Sequence, residues 1–228
     1  MKKILFLHGA LGAKDQFTAL KRILADSYEI HSINFTGHGG NKIPGTAFSI
    51  EMFSEDIIQY INANSPGGMD IFGYSMGGYA VLYTAVRKPA SIGRIFTLAT
   101  KFDWRPETAS HEAKMLDADT IKQKVPAFAE ELSARHGAEN WKAVLAKTAQ
   151  MMLTLGNDNL LTAELLGKIE NEVQVGVGDR DKMVTLEETV SAYRALPNSR
   201  LLVLPAAPHP IDKINISVLS GEIKNFFG

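Results

Sequence analysis

The sequence predicts an α/β fold, a doubly wound and mostly parallel sheet of six strands interrupted by a helical insertion. Two observations lead there. Short apolar runs rich in β-branched and aromatic residues alternate with longer segments of helical period. Strands that alternate with helices require right-handed βαβ crossovers, which cover both faces of the sheet. The 228 residues, 45% of them hydrophobic, suffice for one domain that buries roughly 70% of its extended surface.

Residues 4–7 form the first strand, which ends at a Gly turn. The segment 15–25 follows as a helix, with Phe17, Leu20, Ile23 and Leu24 on one stripe. Residues 28–35 form the second strand. The segment 49–61 is helical, with Ser49 as N-cap and Met52, Phe53, Ile57, Ile58 and Ile61 along its apolar face. Strand three spans 69–74 and leads to a helix over 76–86, which Pro89 stops. Strand four covers 92–98, strand five 173–177 and strand six 200–204. A helix over 186–196 ends at Pro197, and the last helix runs from about 214 to 227.

The rhythm fails between strands four and five. No convincing strand occurs there, yet Trp141, Val144, Leu145, Thr148, Met152 and Leu155 fall on one helical stripe, and 126–135 and 162–169 add shorter helices. So long an interval exceeds a simple crossover. The expected organisation is a core of residues 1–100 and 172–228 with a helical lid over 101–171. Parallel sheets bind ligands at their carboxyl edge, where such an insertion sits.

Composition narrows the function. The chain has no Cys, which excludes disulfides, Cys-ligated metal and a cysteine nucleophile. With 24 basic against 25 acidic residues there is no net field to hold nucleic acid. The opening Met1-Lys2-Lys3 precedes only four apolar residues, short of the ~7–15 of a secretory signal, and no run approaches the ~18 needed to cross a bilayer. A cytoplasmic protein acting on a small molecule is expected.

Gly73-Tyr74-Ser75-Met76-Gly77, between strand three and its helix, is G-x-S-x-G in the context its chemistry needs. The reversal strains the Ser backbone, lifts Oγ above the sheet edge and sets it at a helix N-terminus that favours negative charge. The alternative, a nucleotide-binding turn, finds no support in His8-Gly9-Ala10-Leu11-Gly12, which contains neither G-x-G-x-x-G nor a P-loop.

A Ser hydroxyl needs a base. His111 and His136 fall in the insertion and are expected to be solvated or lid residues. His31 is expected to be structural, His8 to brace the first turn, and His38 to lie on a loop that could line a site. His209, in Ala207-Pro208-His209-Pro210 after the last strand, opens on the same edge as Ser75 and is the expected base. Gly178-Asp179-Arg180-Asp181 ends strand five and offers the carboxylate that fixes the imidazole tautomer. Asp181 is preferred and Asp179 is the alternative. The order Ser, acid, His is that of α/β-hydrolase scaffolds.

With Leu7-His8-Gly9-Ala10, Gly73-Tyr74-Ser75-Met76-Gly77, Gly178-Asp179-Arg180-Asp181 and His209, the sequence resembles the α/β-hydrolase superfamily, in particular its lidded single-domain esterases and carbon–carbon bond hydrolases. The resemblance implies Asp181 as the acid and backbone oxyanion donors at Ala10 and Met76, with Leu11 as the less favoured donor. It also implies strand order 2-1-3-4-5-6, because the chain begins at the strand before His-Gly and the family's first two strands are missing. Thr36-Gly37-His38-Gly39 resembles the family's Pro-Gly-His-Gly loop. Pro208 stands where relatives carry Gly, which fixes φ and removes an N–H.

The expected reaction is cleavage of an ester, thioester, lactone or activated carbon–carbon bond, with no cofactor or metal. Leu11, Phe102, Trp104, Met151 and Met152, with Met115, are the expected substrate contacts. Lys101 and Arg105 could meet a carboxylate on the substrate, but exposed charges are the preferred reading for both. The alternatives on the same residues are a non-catalytic binding or signalling protein and cofactor-free haloperoxidase chemistry.

Overall fold

The computed structural model describes residues 1–228. Six strands, β1 (Lys2–Leu7), β2 (Tyr28–Ile33), β3 (Met69–Tyr74), β4 (Ile92–Leu98), β5 (Val173–Gly178) and β6 (Ser199–Leu204), form one all-parallel sheet in the order β2-β1-β3-β4-β5-β6. The expected order is the observed one. In register, Leu7 lies beside Gly73, and Leu98 beside both Tyr74 and Gly176, so strands one, three, four and five end together at one edge.

Helices α1 (Thr18–Leu24) and α10 (Ile216–Phe227) cover one face; α2 (Ile50–Asn64), α3 (Met76–Arg87) and α9 (Leu186–Ala195) cover the other. Because both faces are covered, neighbours along a strand are both apolar and bury in opposite directions. Ile4 and Phe6 join Phe72, Phe96, Phe226 and Phe227 under α1 and α10, whereas Leu5 and Leu7 join Ile71, Ile95 and Val173 beneath α2 and α3. Ser49 caps α2 by accepting from Met52 N–H, as its position suggested. The first helix is shorter than its stripe implies, because Lys14–Phe17 winds as a 3-10 turn before α1 begins.

Five helices fill the interval between β4 and β5: α4 (Pro106–Lys114), α5 (Ala118–Lys124), α6 (Pro126–His136), α7 (Trp141–Asn157) and α8 (Ala163–Leu166). The apolar stripe of α7 is its buried face. Helix α4 buries only Ala109 and Glu112, too few apolar positions for a stripe to be legible. The stretch 162–169 yields a single turn of helix capped by Thr162. The insertion has no separate core. Ile121, Leu132, Trp141, Val144, Leu145 and Leu155 belong to one continuous apolar cluster with α2 and α3. No helix is long and apolar enough to cross a membrane.

Candidate active site

Strand β3 ends at Tyr74, and α3 starts at Met76. Ser75 makes the turn alone, with φ 51° and ψ −115°. A side chain other than Gly's is strained there and needs surrounding structure to hold it. Four bonds do so: Ser75 N–H donates to Leu98 O at 2.8 Å, and Ser75 O accepts from Gly78 N–H at 3.0 Å, Tyr79 N–H at 3.2 Å and Thr100 Oγ1 at 3.2 Å. The glycines are steric requirements. A Cβ on Gly73 would stand 2.6 Å from Gly78 Cα, and one on Gly77 would stand 2.4 Å from Leu7 O.

His209 Nε2 lies 3.3 Å from Ser75 Oγ, and His209 Nδ1 lies 2.8 Å from Asp181 Oδ2. The Asp181 side chain is fully buried, and its other oxygen accepts the N–H groups of Met183 and Val184 at 2.8 and 2.9 Å. With its other oxygen taken by two amides, the carboxylate accepts from Nδ1–H, which leaves the Nε2 lone pair toward Oγ. Asp179 instead accepts Ala207 N–H at 3.2 Å and braces the His209 loop. Tyr74 Oη, kept protonated by burial that pushes its pKa up, donates to His209 O at 2.9 Å. The loop around Pro208 is thus tied to β3 and β5.

The amides of Ala10, Leu11 and Met76 donate to no backbone acceptor; that of Met76 opens α3, where the first N–H groups have no intrahelical partner. Ala10, Leu11, Ser75, Met76 and His209 together border a cavity of about 300 Å³. Of the substrate contacts expected from the insertion, Trp104, Met115, Met151 and Met152 line this cavity.

Phe102 corrects that expectation. After β4, Lys101 borders the cavity while Phe102 turns to a separate depression with Leu161, Leu166 and Ala192, and a three-residue turn closed by Trp104 N–H donating to Phe102 O at 3.0 Å brings Trp104 back to the cavity. Gln16, Ile50, Tyr79, Glu112, Leu116, Phe128, Leu155, Met183 and Val184 also line the cavity and were not anticipated. Only Met183 and Val184 carried a signal, because they follow Asp181 in the chain. Lys101 is not an exposed charge either: it donates to Met183 O at 2.8 Å and pairs with Glu112 at 3.4 Å.

The remaining histidines sort by burial. His8 braces the first turn as expected, with Nδ1 2.8 Å from Gly9 O and Nε2 accepting Phe35 N–H at 3.1 Å. His38 does not border the cavity. It is buried, stacked on Phe48 at 5.1 Å between ring centres, and burial lowers its pKa to about 4. His136 is buried too, whereas His111 is exposed and His31, within β2, bonds Tyr60 and Glu29.

A Ser on a strained strand–helix turn, a His beside its hydroxyl and a buried carboxylate beneath that His thus gather at the carboxyl edge of a parallel sheet. The family model for the alpha/beta hydrolase fold matches residues 2–158, and the chain belongs to that family. It is 25% identical over 230 residues to the pimeloyl-[acyl-carrier protein] methyl ester esterase of Neisseria meningitidis, covering 92% of this chain and 87% of that protein. It is 34% identical over 91 residues to the chloroplastic protein PHYLLO of Arabidopsis thaliana; the match spans 36% of this chain but only 5% of PHYLLO's length. The structure of a thermophilic esterase from Thermogutta terrifontis superposes with a TM-score of 0.79 at 18% identity, over 100% of this chain and 89% of that one. At that identity the likeness concerns the fold.

Proposed function

We propose that this protein is a serine hydrolase that cleaves a carboxylic ester, or a related thioester, lactone or activated carbon–carbon bond, of a small and partly apolar substrate. The observation that carries the reading is the hydrogen-bonded line from Ser75 Oγ through His209 to the buried Asp181, opening on an apolar cavity. His209 Nε2 takes the Oγ proton as Oγ attacks the substrate carbonyl. Asp181 holds the ring and stabilises the imidazolium. The developing oxyanion is received by the free amides of Ala10 and Met76, a donor of this kind being worth about 2.7–4 kcal/mol. The proton on His209 passes to the leaving group, and a water deprotonated by His209 then releases the acyl-enzyme.

The cavity supports an uncharged substrate. Its one cation, Lys101, is already paired with Glu112 and has a second carboxylate, that of Glu188, at 4.0 Å, so no free positive charge remains for an anion. Leu11, Trp104, Met151 and Met152 are the proposed substrate contacts, Met supplying an adaptable apolar wall. The esterase among the relatives agrees in bond type. The insertion acts as the lid, with the core in residues 1–100 and 172–228. The test is turnover of a short-chain p-nitrophenyl ester. Ser75→Ala is expected to lower kcat by roughly 10⁴-fold or more. A variant as active as the parent protein overturns the reading.

A further inference from the structure

The insertion reaches past the cavity and grips the turn that follows β1. His136 is the last residue of α6, and its Nε2 lies 2.9 Å from Leu11 O. Its Nδ1 takes the N–H of Gly39 at 3.1 Å. An amide N–H can only donate, so Nδ1 is bare, and the ring hydrogen sits on Nε2 and is given to Leu11. Arg135 Nη1 donates to the same carbonyl at 3.2 Å.

That carbonyl belongs to a strained residue. Gly12 N–H donates to Gly9 O at 3.1 Å and closes a four-residue turn in which Leu11 is third, with φ 58°. Turns of this hand usually take Gly at that position, and a leucine there drifts back toward negative φ unless it is held. Such a drift rotates the peptide between Ala10 and Leu11, turns the free Leu11 N–H, and shifts the adjoining Ala10 at the cavity border.

We propose that His136 is a positioning residue for the hydrolytic reaction: by donating to Leu11 O it fixes the oxyanion turn, so the site is competent only while α6 is docked. The inference rests on the serine-hydrolase reading. His136 touches neither the nucleophile nor the base, and it does not border the cavity. Its effect falls on the transition state and leaves ground-state binding unchanged.

Two substitutions separate its two bonds. The amide nitrogen of His136→Gln can stand where Nε2 stands and still donate to Leu11 O. His136→Asn keeps an acceptor near Gly39 but does not reach Leu11. The readout is phosphonylation of Ser75 in the full chain by a fluorophosphonate probe, which needs nucleophile, base and oxyanion amides but no natural substrate. In His136→Asn the maximal labelling rate is expected to fall roughly tenfold, less than the roughly 10²–10³-fold lost with a whole donor. The half-saturating probe concentration stays the same, and His136→Gln restores the rate to within about threefold.

If His136→Asn does not fold, Arg135→Met strips the second donor from the same carbonyl, and a loss of roughly threefold in maximal rate is expected. An unchanged rate in the folded variant overturns the inference, as does equal impairment of the Asn and Gln variants. Ser75→Ala separates the two levels. If its labelling is lost while His136→Asn labels normally, this inference alone fails. If Ser75→Ala still labels, or the parent protein never does, the hydrolase reading fails and takes this inference with it.

Discussion

The carboxyl edge of the sheet and the helical insertion border the same cavity but are built on different principles. At the edge, position is set by backbone: Ser75 at positive φ, glycines with no room for a Cβ, and a carboxylate holding two amides and an imidazole. The insertion contributes side chains that fill space, Met115, Met151 and Met152 among them, and has no core apart from the one it shares with α2 and α3. Chemistry needs groups fixed to fractions of an ångström, which loops pinned to strand ends provide. Substrate fit needs only volume and apolar surface, which flexible thioethers supply. The edge therefore tolerates little change, whereas the thioether wall that the insertion supplies can be retuned.

The largest effect should come from the edge. Asp181→Asn is expected to lower kcat on a p-nitrophenyl ester by about 10⁴-fold, because the amide favours the wrong imidazole tautomer. Asp179→Asn, which touches only the loop brace, should cost less than about tenfold. Equal losses in the two variants would erase the distinction between them.

Acid tests the seam where the two regions meet. His8, His38 and His136 are buried, and burial is the largest cause of the lowered pKa of each, reaching about 4 for His38. The unfolded chain therefore takes up protons first. Stability should be complete above about pH 6.5 and fall as pH drops from there to about 4, on the order of 3 kcal/mol for His38 alone. Urea unfolding at both ends of that window measures it, and His38→Gln should flatten the slope. A stability independent of pH across the window would mean that these rings titrate normally.

The smallest effect belongs to the insertion. Met152→Ala should leave kcat on an acetyl ester within about threefold of the parent protein while shifting preference toward longer acyl chains by roughly tenfold. A collapse of kcat on the acetyl ester would show that Met152 sets the chemistry as well as the fit.

Legibility in the sequence followed the same division. The turns at Ser75 and Asp181 could be placed because each needs particular residues at fixed spacing, and the strands because the sheet is covered on both faces. The cavity wall was harder. Trp104 and Phe102 look equivalent in the sequence and would share a face in an extended chain, but a three-residue turn, closed by Trp104 N–H donating to Phe102 O at 3.0 Å, sends only Trp104 to the cavity. Helix α4 is nearly invisible because it buries little, and Lys101 looked exposed because its partner Glu112 lies on that helix. His136 gave no sign of its role, since its partners Leu11 and Gly39 are more than ninety residues away.

By itself the chain determined which elements form, how they are ordered and which residues stand at the strand ends, because period, punctuation and turn chemistry are local properties. Only the tertiary structure decided which side chains of the insertion border the cavity, which histidines are sealed among aromatic rings and which carbonyl His136 holds. Those outcomes depend on how helices settle against a sheet, and a shift of one residue in that packing changes every contact without altering any local preference.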